Sequence, residues 1–194
     1  MPRHPAWTME TAPPTMQKMR EEHQAMDGVV LNPTQLMRYD PTIAAAQAAP
    51  GRGIEPAGHL EAQRRSLRYA FVSTLNGCPF CVDINAFRGM REGWSAAPIA
   101  ELTRDATSPQ FSAHERLALG YAGRITRRDQ DVDAALFARL LQEFPTPAAI
   151  VELTAIVAFE TVCSTFNHAL GIKSNGVCGV EHAGGTNAAR GTGP

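Results

Sequence analysis

The sequence has no apolar stretch approaching the roughly 20 residues that cross a bilayer. Its longest, Ala148 to Ala158, is interrupted by Glu152 and followed by Glu160, so no membrane partner is expected. The start, Met1-Pro2-Arg3-His4-Pro5, lacks the apolar run of a signal peptide. A cytoplasmic protein is therefore expected. Nor is there an excess of one charge. Lys and Arg number 18 against 19 Asp and Glu, a formal net charge of −1, and no global field attracts nucleic acid. Basic residues cluster only locally, at Arg64-Arg65-Ser66-Leu67-Arg68 and Arg124-Ile125-Thr126-Arg127-Arg128; both read as solvated helix faces or helix ends. No alternating run reads as a strand, and no Gly-rich phosphate loop is present to hold a nucleotide. Cysteine is scarce, with four in 194 residues. In a reducing compartment so few thiols point to catalysis, metal or packing before a disulfide framework.

What is present is a series of helix signals. Pro2, Pro5, Pro13 and Pro14 mark residues 1–14 as an irregular arm. A short helix is expected over Thr15–Met26, and another from Asn32-Pro33, where a cap residue precedes Pro. Tyr39-Asp40-Pro41 interrupts it, and the helix restarts over Pro41–Ala49. Pro50-Gly51-Arg52-Gly53 reads as a loop reaching Gly58. Apolar positions recur at helical spacing from His59 to Leu75, and Asn76-Gly77 ends that helix. A second begins at Cys78-Pro79 and runs to Arg91. Ser95 caps a short helix to Arg104. Ser112 with Glu115 forms a capping box for a helix to Ile125, and another helix spans Val132–Phe144. Thr146-Pro147 opens a long, mostly apolar helix that Gly171 stops. The expected fold is all-α, a helical bundle. One domain covers residues 15–172, and residues 173–194 form a flexible tail rich in Gly, Ala and Thr.

The chemistry concentrates at Gly77-Cys78-Pro79-Phe80-Cys81. A thiolate, not a thiol, is the nucleophile, and a helix N-terminus lowers a thiol pKa from about 8.5 to roughly 3.5–7.5. A second thiol three residues on lies one turn up the same helix, within reach of disulfide closure. Two other readings exist: buried cysteines acting as small apolar residues, and a zinc site recruiting Cys163, His168 or Cys178, which do not form a second close pair. The string C-P-F-C also matches the glutaredoxin motif, but that fold places a strand before it. Here a helix precedes it.

The segment Asn76-Gly77-Cys78-Pro79-Phe80-Cys81-Val82-Asp83-Ile84-Asn85, then Gly93, resembles the AhpD-like alkylhydroperoxidase and carboxymuconolactone decarboxylase family. Phe111 to Leu119, Ile150 to Thr154 and Phe166 to Ile172 resemble its second half, so the likeness covers residues 30 to 172. It implies an AhpD-like helical bundle and a homo-oligomer, a trimer or hexamer. It also implies Cys81 as the sulfur that attacks peroxide and Cys78 as the resolving sulfur that exchanges with an external dithiol reductant. In the peroxidase branch a Glu stands twelve residues before the first Cys, and a His stands four after the second. Here those positions hold Ser66 and Asn85. Asn donates a hydrogen bond to a thiolate but does not take its proton at neutral pH. A positioned acid or base is worth about 10²–10⁴ in rate.

The resemblance therefore implies a CxxC thiol-dependent peroxidase or disulfide oxidoreductase with an atypical proton relay, needing no cofactor or metal, with a small hydroperoxide as substrate. Two alternatives stand beside it. One is a non-redox, decarboxylase-like enzyme acting on a small organic acid or lactone; the other is a redox-sensing helical oligomer. Substitutes for the relay are few. Glu115 is accounted for by capping, His114 opens the same helix beside it, and His168 reads as a packing residue. Glu160 is unusual in its apolar helix, but Glu152, Glu160, Ser164 and Asn167 share one stripe and read as solvent-facing. Cys163 is expected in the core and Cys178 free in the tail.

Overall fold

The computed structural model describes residues 14–37, 39–102, 107–127 and 132–179. Of the arm expected over 1–14, residues 1–13 lie outside the described residues and Pro14 opens α1, and the tail beyond Gly179 also lies outside them. Among those described the chain is all helical, as expected, with no strand. The helices are α1 (Pro14–Asp27), α2 (Asn32–Met37), α3 (Pro41–Ile54), α4 (Ala62–Leu75), α5 (Pro79–Arg91), α6 (Ala96–Leu102), α7 (Ala113–Arg127), α8 (Ala134–Glu143) and α9 (Pro147–Ala169).

The capping box at Ser112 and the Thr146 cap form as the sequence predicts, while Asn32, expected as a cap, is the first residue of α2. Glu115 N–H donates to Ser112 Oγ at 3.2 Å and Ser112 N–H donates to Glu115 Oε2 at 2.7 Å, the reciprocal pair of a capping box. Asp40 caps α3, Asp133 caps α8 and Thr146 caps α9 through side-chain oxygens. Leu170 ends α9, and Gly171 follows in the left-handed region at φ +67°.

The loop expected at 50–53 is a correction, because α3 continues through Pro50 to Ile54. Its packing against α9 accounts for this. A Cβ at Gly51 would stand 3.0 Å from the Phe159 ring, so glycine permits that close approach. Tertiary contact of this kind overrides the weak local propensity of a Pro-Gly stretch.

α4 is the hub. It packs antiparallel to α5, so that Ser73 meets Asn85 and Ser66 meets Glu92. It runs parallel to α9, where Leu60, Ser73 and Asn76 meet Glu152, Glu160 and Ser164 in order. The main apolar core lies among α4, α7, α8 and α9, built on Phe71, Val72, Phe111, Leu119, Leu140, Leu153 and Ile156. α1 is tied to α5 by a bidentate pair, Arg88 to Asp27 at 2.9 and 2.7 Å.

By length and mean hydropathy (1.6) α9 alone, among the described residues, has the properties of a membrane span. In the bundle it is instead the helix whose polar stripe is buried. Arg68 also departs from expectation: it is 1% exposed rather than a solvated face, and its guanidinium nitrogens have no hydrogen-bond partner.

Gly51 and Gly53 provide a paired test of the α3–α9 contact. Nothing lies within 4 Å of a Cβ at Gly53. Gly53→Ala should raise stability by about 0.5–1 kcal/mol through helix propensity. Gly51→Ala should lose that gain against Phe159, and equal stabilisation of both in thermal melts would place the ring elsewhere.

Candidate functional site

Cys78 is the N-cap of α5 and Pro79 its first residue. The cap conformation is extended, and Cys81 N–H points at Cys78 Sγ at 3.3 Å. The sulfur thus occupies the place of a capping oxygen, where the free amides and the helix dipole favour an anion. Cys78 and Cys81 form a disulfide, with Cα atoms 5.3 Å apart. Both are buried, at 0% and 2% exposure. Around them pack Leu31, Phe80, Ile84 and Ile172, with Val29, Phe87, Leu170 and Val177 at the edge.

α9 supplies the polar contact to the dithiol. Asn167 Nδ2 donates to Cys81 Sγ at 3.4 Å, while its Oδ1 is buried with no hydrogen-bond partner. One turn back, Ser164 Oγ accepts from Asn76 Nδ2 at 2.8 Å. One turn further back, the Glu160 carboxylate accepts from Ser73 Oγ at 2.8 Å and from Asn85 Nδ2 at 3.2 Å. Asn85 Nδ2 also donates to Ser73 Oγ at 3.1 Å. His168, at the exposed end of α9, donates from Nδ1 to the Gly77 carbonyl at 2.8 Å and clamps the turn before Cys78.

These contacts correct the reading of the α9 stripe. Glu152, Glu160, Ser164 and Asn167 are all buried rather than solvent-facing. The opposite side of α9 exposes apolar residues instead, with Val151 at 68% and Val162 at 52% exposure. Glu152 satisfies the amides of His59 and Leu60 ahead of α4, at 2.7 and 3.2 Å. The remaining three stripe residues converge on the dithiol end of the bundle. Sequence polarity was the available signal; its direction was not, because helical spacing says which residues share a face and not which face is inside.

Burial pushes the Glu160 carboxyl up to about 7, against the hydrogen bonds from Ser73 and Asn85 and the charge of Arg88, which pull it down. Burial, then the nearby Glu160, push the Cys163 thiol up to about 12. Cys163, half-buried, is thus a poor nucleophile.

Of the residues singled out from sequence, Cys78, Cys81 and Asn85 lie together. Ser66 does not join them. Its hydroxyl donates to Glu92 beyond the far end of α5, and helical rise puts it roughly 15 Å from Cys81. His114 stacks on Phe144 with ring centroids 4.5 Å apart, and burial, then Arg64 and Arg68, lower its pKa. Cys178, expected free in a flexible tail, is buried instead. Residues 174–178 are fastened to the Asp83 carboxylate, which accepts from Ser174 Oγ (2.7 Å) and the amides of Gly176 (2.7 Å), Val177 (3.2 Å) and Cys178 (2.8 Å). Asp83 and Asn167 are the residues that sequence reasoning did not assign to this region's architecture.

Glu160 carries a stability consequence with a defined sign. Folding raises its pKa from 4.5 to about 7, so the folded state holds the proton more tightly. That stabilisation is complete below 4.5 and is lost as pH rises through 7. Relative to Glu160→Gln, wild-type protein should lose about 3 kcal/mol between these limits. Urea unfolding at pH 4.5 and pH 8 measures it; a pH-independent difference would mean that Glu160 is solvated.

Comparison with known proteins agrees with this geometry. Residues 41–123 match the carboxymuconolactone decarboxylase family. The chain is 35% identical over 114 residues, 59% of its length, to the uncharacterized protein YnjA of Escherichia coli K12, and the match spans 62% of the length of that curated relative. In structure it is similar to the alkylhydroperoxidase AhpD core of an uncharacterized peroxidase-related protein from Ralstonia eutropha JMP134. That likeness has a TM-score of 0.82 at 19% identity, covering 90% of this chain and 92% of the other. The apo debrominase Bmp8 aligns with a TM-score of 0.76 at 18% identity, over 89% and 92% of the two chains. Residues 41–123 thus carry the pattern of the carboxymuconolactone decarboxylase family, and the bundle around them has the fold of the AhpD core.

Proposed function

We propose that this protein is a dithiol oxidoreductase that reduces a hydroperoxide at Cys81. The observation that carries the reading is the Cys78–Cys81 pair at the start of α5, with the Asn167 amide on Cys81 Sγ. In the reduced protein, a Cys81 thiolate would attack the outer peroxide oxygen. The O–O bond breaks, the alkoxide takes a proton and leaves as alcohol, and Cys81 becomes a sulfenic acid. The Cys78 thiol then displaces water to form the disulfide. An external dithiol supplies two electrons and two protons to restore the pair. In a reducing compartment, such as the cytoplasm expected for this chain, the resting form would be the dithiol.

Two features serve as substitutes for the relay that Ser66 and Asn85 do not provide. Asn167 stabilises charge on sulfur through its N–H. Glu160, bonded to Asn85 one turn beyond Cys81, is a buried carboxyl with a pKa near 7, suited to hold a proton that the sulfur gives up. Under this reading two carboxamides and a carboxyl replace a histidine relay.

A cysteine-to-alanine variant of the debrominase Bmp8 has been solved in complex with 2,3,4-tribromopyrrole, so a protein of this fold binds a brominated pyrrole. The same dithiol could meet another electrophile here, and a fold alone does not choose. The non-redox reading, on an organic acid or lactone, makes Glu160 the acid–base group and requires no thiol. A homo-oligomer is also proposed, in which the exposed apolar side of α9 would be covered.

Peroxide consumption by the reduced protein separates these readings. Wild-type protein should consume one hydroperoxide per two thiols and end as the Cys78–Cys81 disulfide. Cys81→Ser should abolish the reaction; equal rates for wild type and variant would end the peroxidase reading. Asn167→Ala should slow it about tenfold, the loss of one hydrogen bond to a charged group. Glu160→Gln should slow it about 10²-fold if Glu160 serves as the proton acceptor. An unchanged rate would remove Glu160 from the reaction.

A further inference from the structure

The dithiol is sealed. At 0% and 2% exposure, Cys78 and Cys81 present almost no surface to a peroxide or a second dithiol. Its cover comes from two stretches outside the helices. One is the turn after α1, which contributes Val29 and Leu31; the other is the segment after α9, which contributes Leu170, Ile172 and Val177.

The two stretches are clasped together. Asn32 N–H donates to Asn175 Oδ1 at 2.9 Å, and Asn32 Nδ2 donates to the carbonyls of Lys173 and Ser174 at 2.9 and 3.1 Å. Asn175 Nδ2 returns a bond to the Val30 carbonyl at 3.2 Å. Each stretch begins at a glycine in the left-handed region, Gly28 at φ +71° and Gly171 at φ +67°. The segment is fastened to the dithiol helix through Asp83, two residues past Cys81, whose buried carboxylate takes four donors from Ser174 to Cys178.

We propose that residues 29–32 and 172–178 form a two-part lid over the dithiol, latched to α5 by Asp83, which swings open to admit reactants to Cys81. The underside of the lid is aliphatic, so closing it excludes water from the sulfur. That protects a sulfenic acid from further oxidation until Cys78 resolves it. Concentrating the polar fastening in one carboxylate makes opening a single local event rather than a general loosening of the bundle. The inference rests on the dithiol being the reactive centre, as proposed above. It does not depend on the identity of the oxidant.

The lid carries its own reporter. Cys178 is buried, and its amide is held by Asp83, so opening exposes Cys178 and Cys81 together. Cys163 lies within α9 and is not among the residues packed around the dithiol. The full chain is reduced, freed of reductant and pulsed with N-ethylmaleimide, and labelling of each cysteine is followed by mass spectrometry. Cys81 and Cys178 should label slowly and with the same opening equilibrium. Asp83→Ala should raise both rates at least about tenfold, since each bond to a charged acceptor is worth more than a factor of ten. Cys163 should not change.

Asn175→Ala breaks the clasp without touching α5, and should raise both rates by a smaller factor even where Asp83→Ala fails to fold. Cys81 labelling that ignores both substitutions overturns the lid, as does Cys163 rising in parallel, which would mean global opening. Labelling needs no peroxide. A lid that opens on a protein inert to hydroperoxide would refute the peroxidase reading and leave this inference standing. Peroxide turnover with unchanged labelling would do the reverse.

Discussion

A buried carboxylate fixes how this bundle is assembled. Glu160 sits inside, and moving an ionisable group out of water is costly unless it is neutralised or bonded. Its two oxygens find Ser73 on α4 and Asn85 on α5, so one side chain of α9 sets the positions of both neighbours. The parallel register of α4 with α9 and the antiparallel register of α4 with α5 meet at this point. A slip of either helix would leave a carboxylate, a hydroxyl and an amide unpaired together. The same register carries Asn76 to Ser164 and Asn167 to Cys81. The dithiol thus inherits its surroundings from the polar seam.

The seam also explains what the sequence showed and what it hid. Caps, breaks and the two-helix setting of Cys78-Pro79-Phe80-Cys81 are local properties, and Ser112, Asp40, Asp133, Thr146 and Gly171 encode them in neighbouring residues. The resemblance to the AhpD-like family was legible for the same reason, because it rests on a contiguous string. The facing of α9 was not. Glu152, Glu160, Ser164 and Asn167 form a polar stripe on a helix whose other side exposes Val151 and Val162, and in an isolated chain polarity alone argues for water. Only partners from α4 and α5, 75 to 93 residues away in the chain, make the inward choice favourable. Ser66 fails for the complementary reason: counting back from Cys78 gives a position in a string, while α4 carries that position away from the sulfur.

Burial and reactivity pull in opposite directions at Cys81. The helix start and the Asn167 amide favour a thiolate, whereas an apolar shell disfavours it. Apolar side chains from α5, from residues 29–31 and from residues 170–177 surround the disulfide, and the side chain that hydrogen-bonds Cys81 Sγ is the carboxamide of Asn167, which carries no net charge. Such a surrounding suits a disulfide at rest. It suits a thiolate only while a proton has somewhere to go, and Glu160 is the buried group whose ordinary range has been moved to neutrality.

Position 85 joins the dithiol helix to the buried carboxyl. In the peroxidase pattern that place holds a base one turn above the sulfur. Here Asn85 spends its amide on Ser73 and Glu160, both on other helices. An amide in that role joins the dithiol helix to a carboxyl without titrating itself. The titratable group of this seam therefore stands on α9, behind Asn85, and under the proposed function it would hold the proton. A carboxyl held there is shielded from solvent by the whole bundle, so its proton affinity follows from burial and the bonds of Ser73 and Asn85 rather than from salt or exposed charge. Under the proposed function, changing the residue at position 85 should alter reactivity through Glu160 as well as through Cys81.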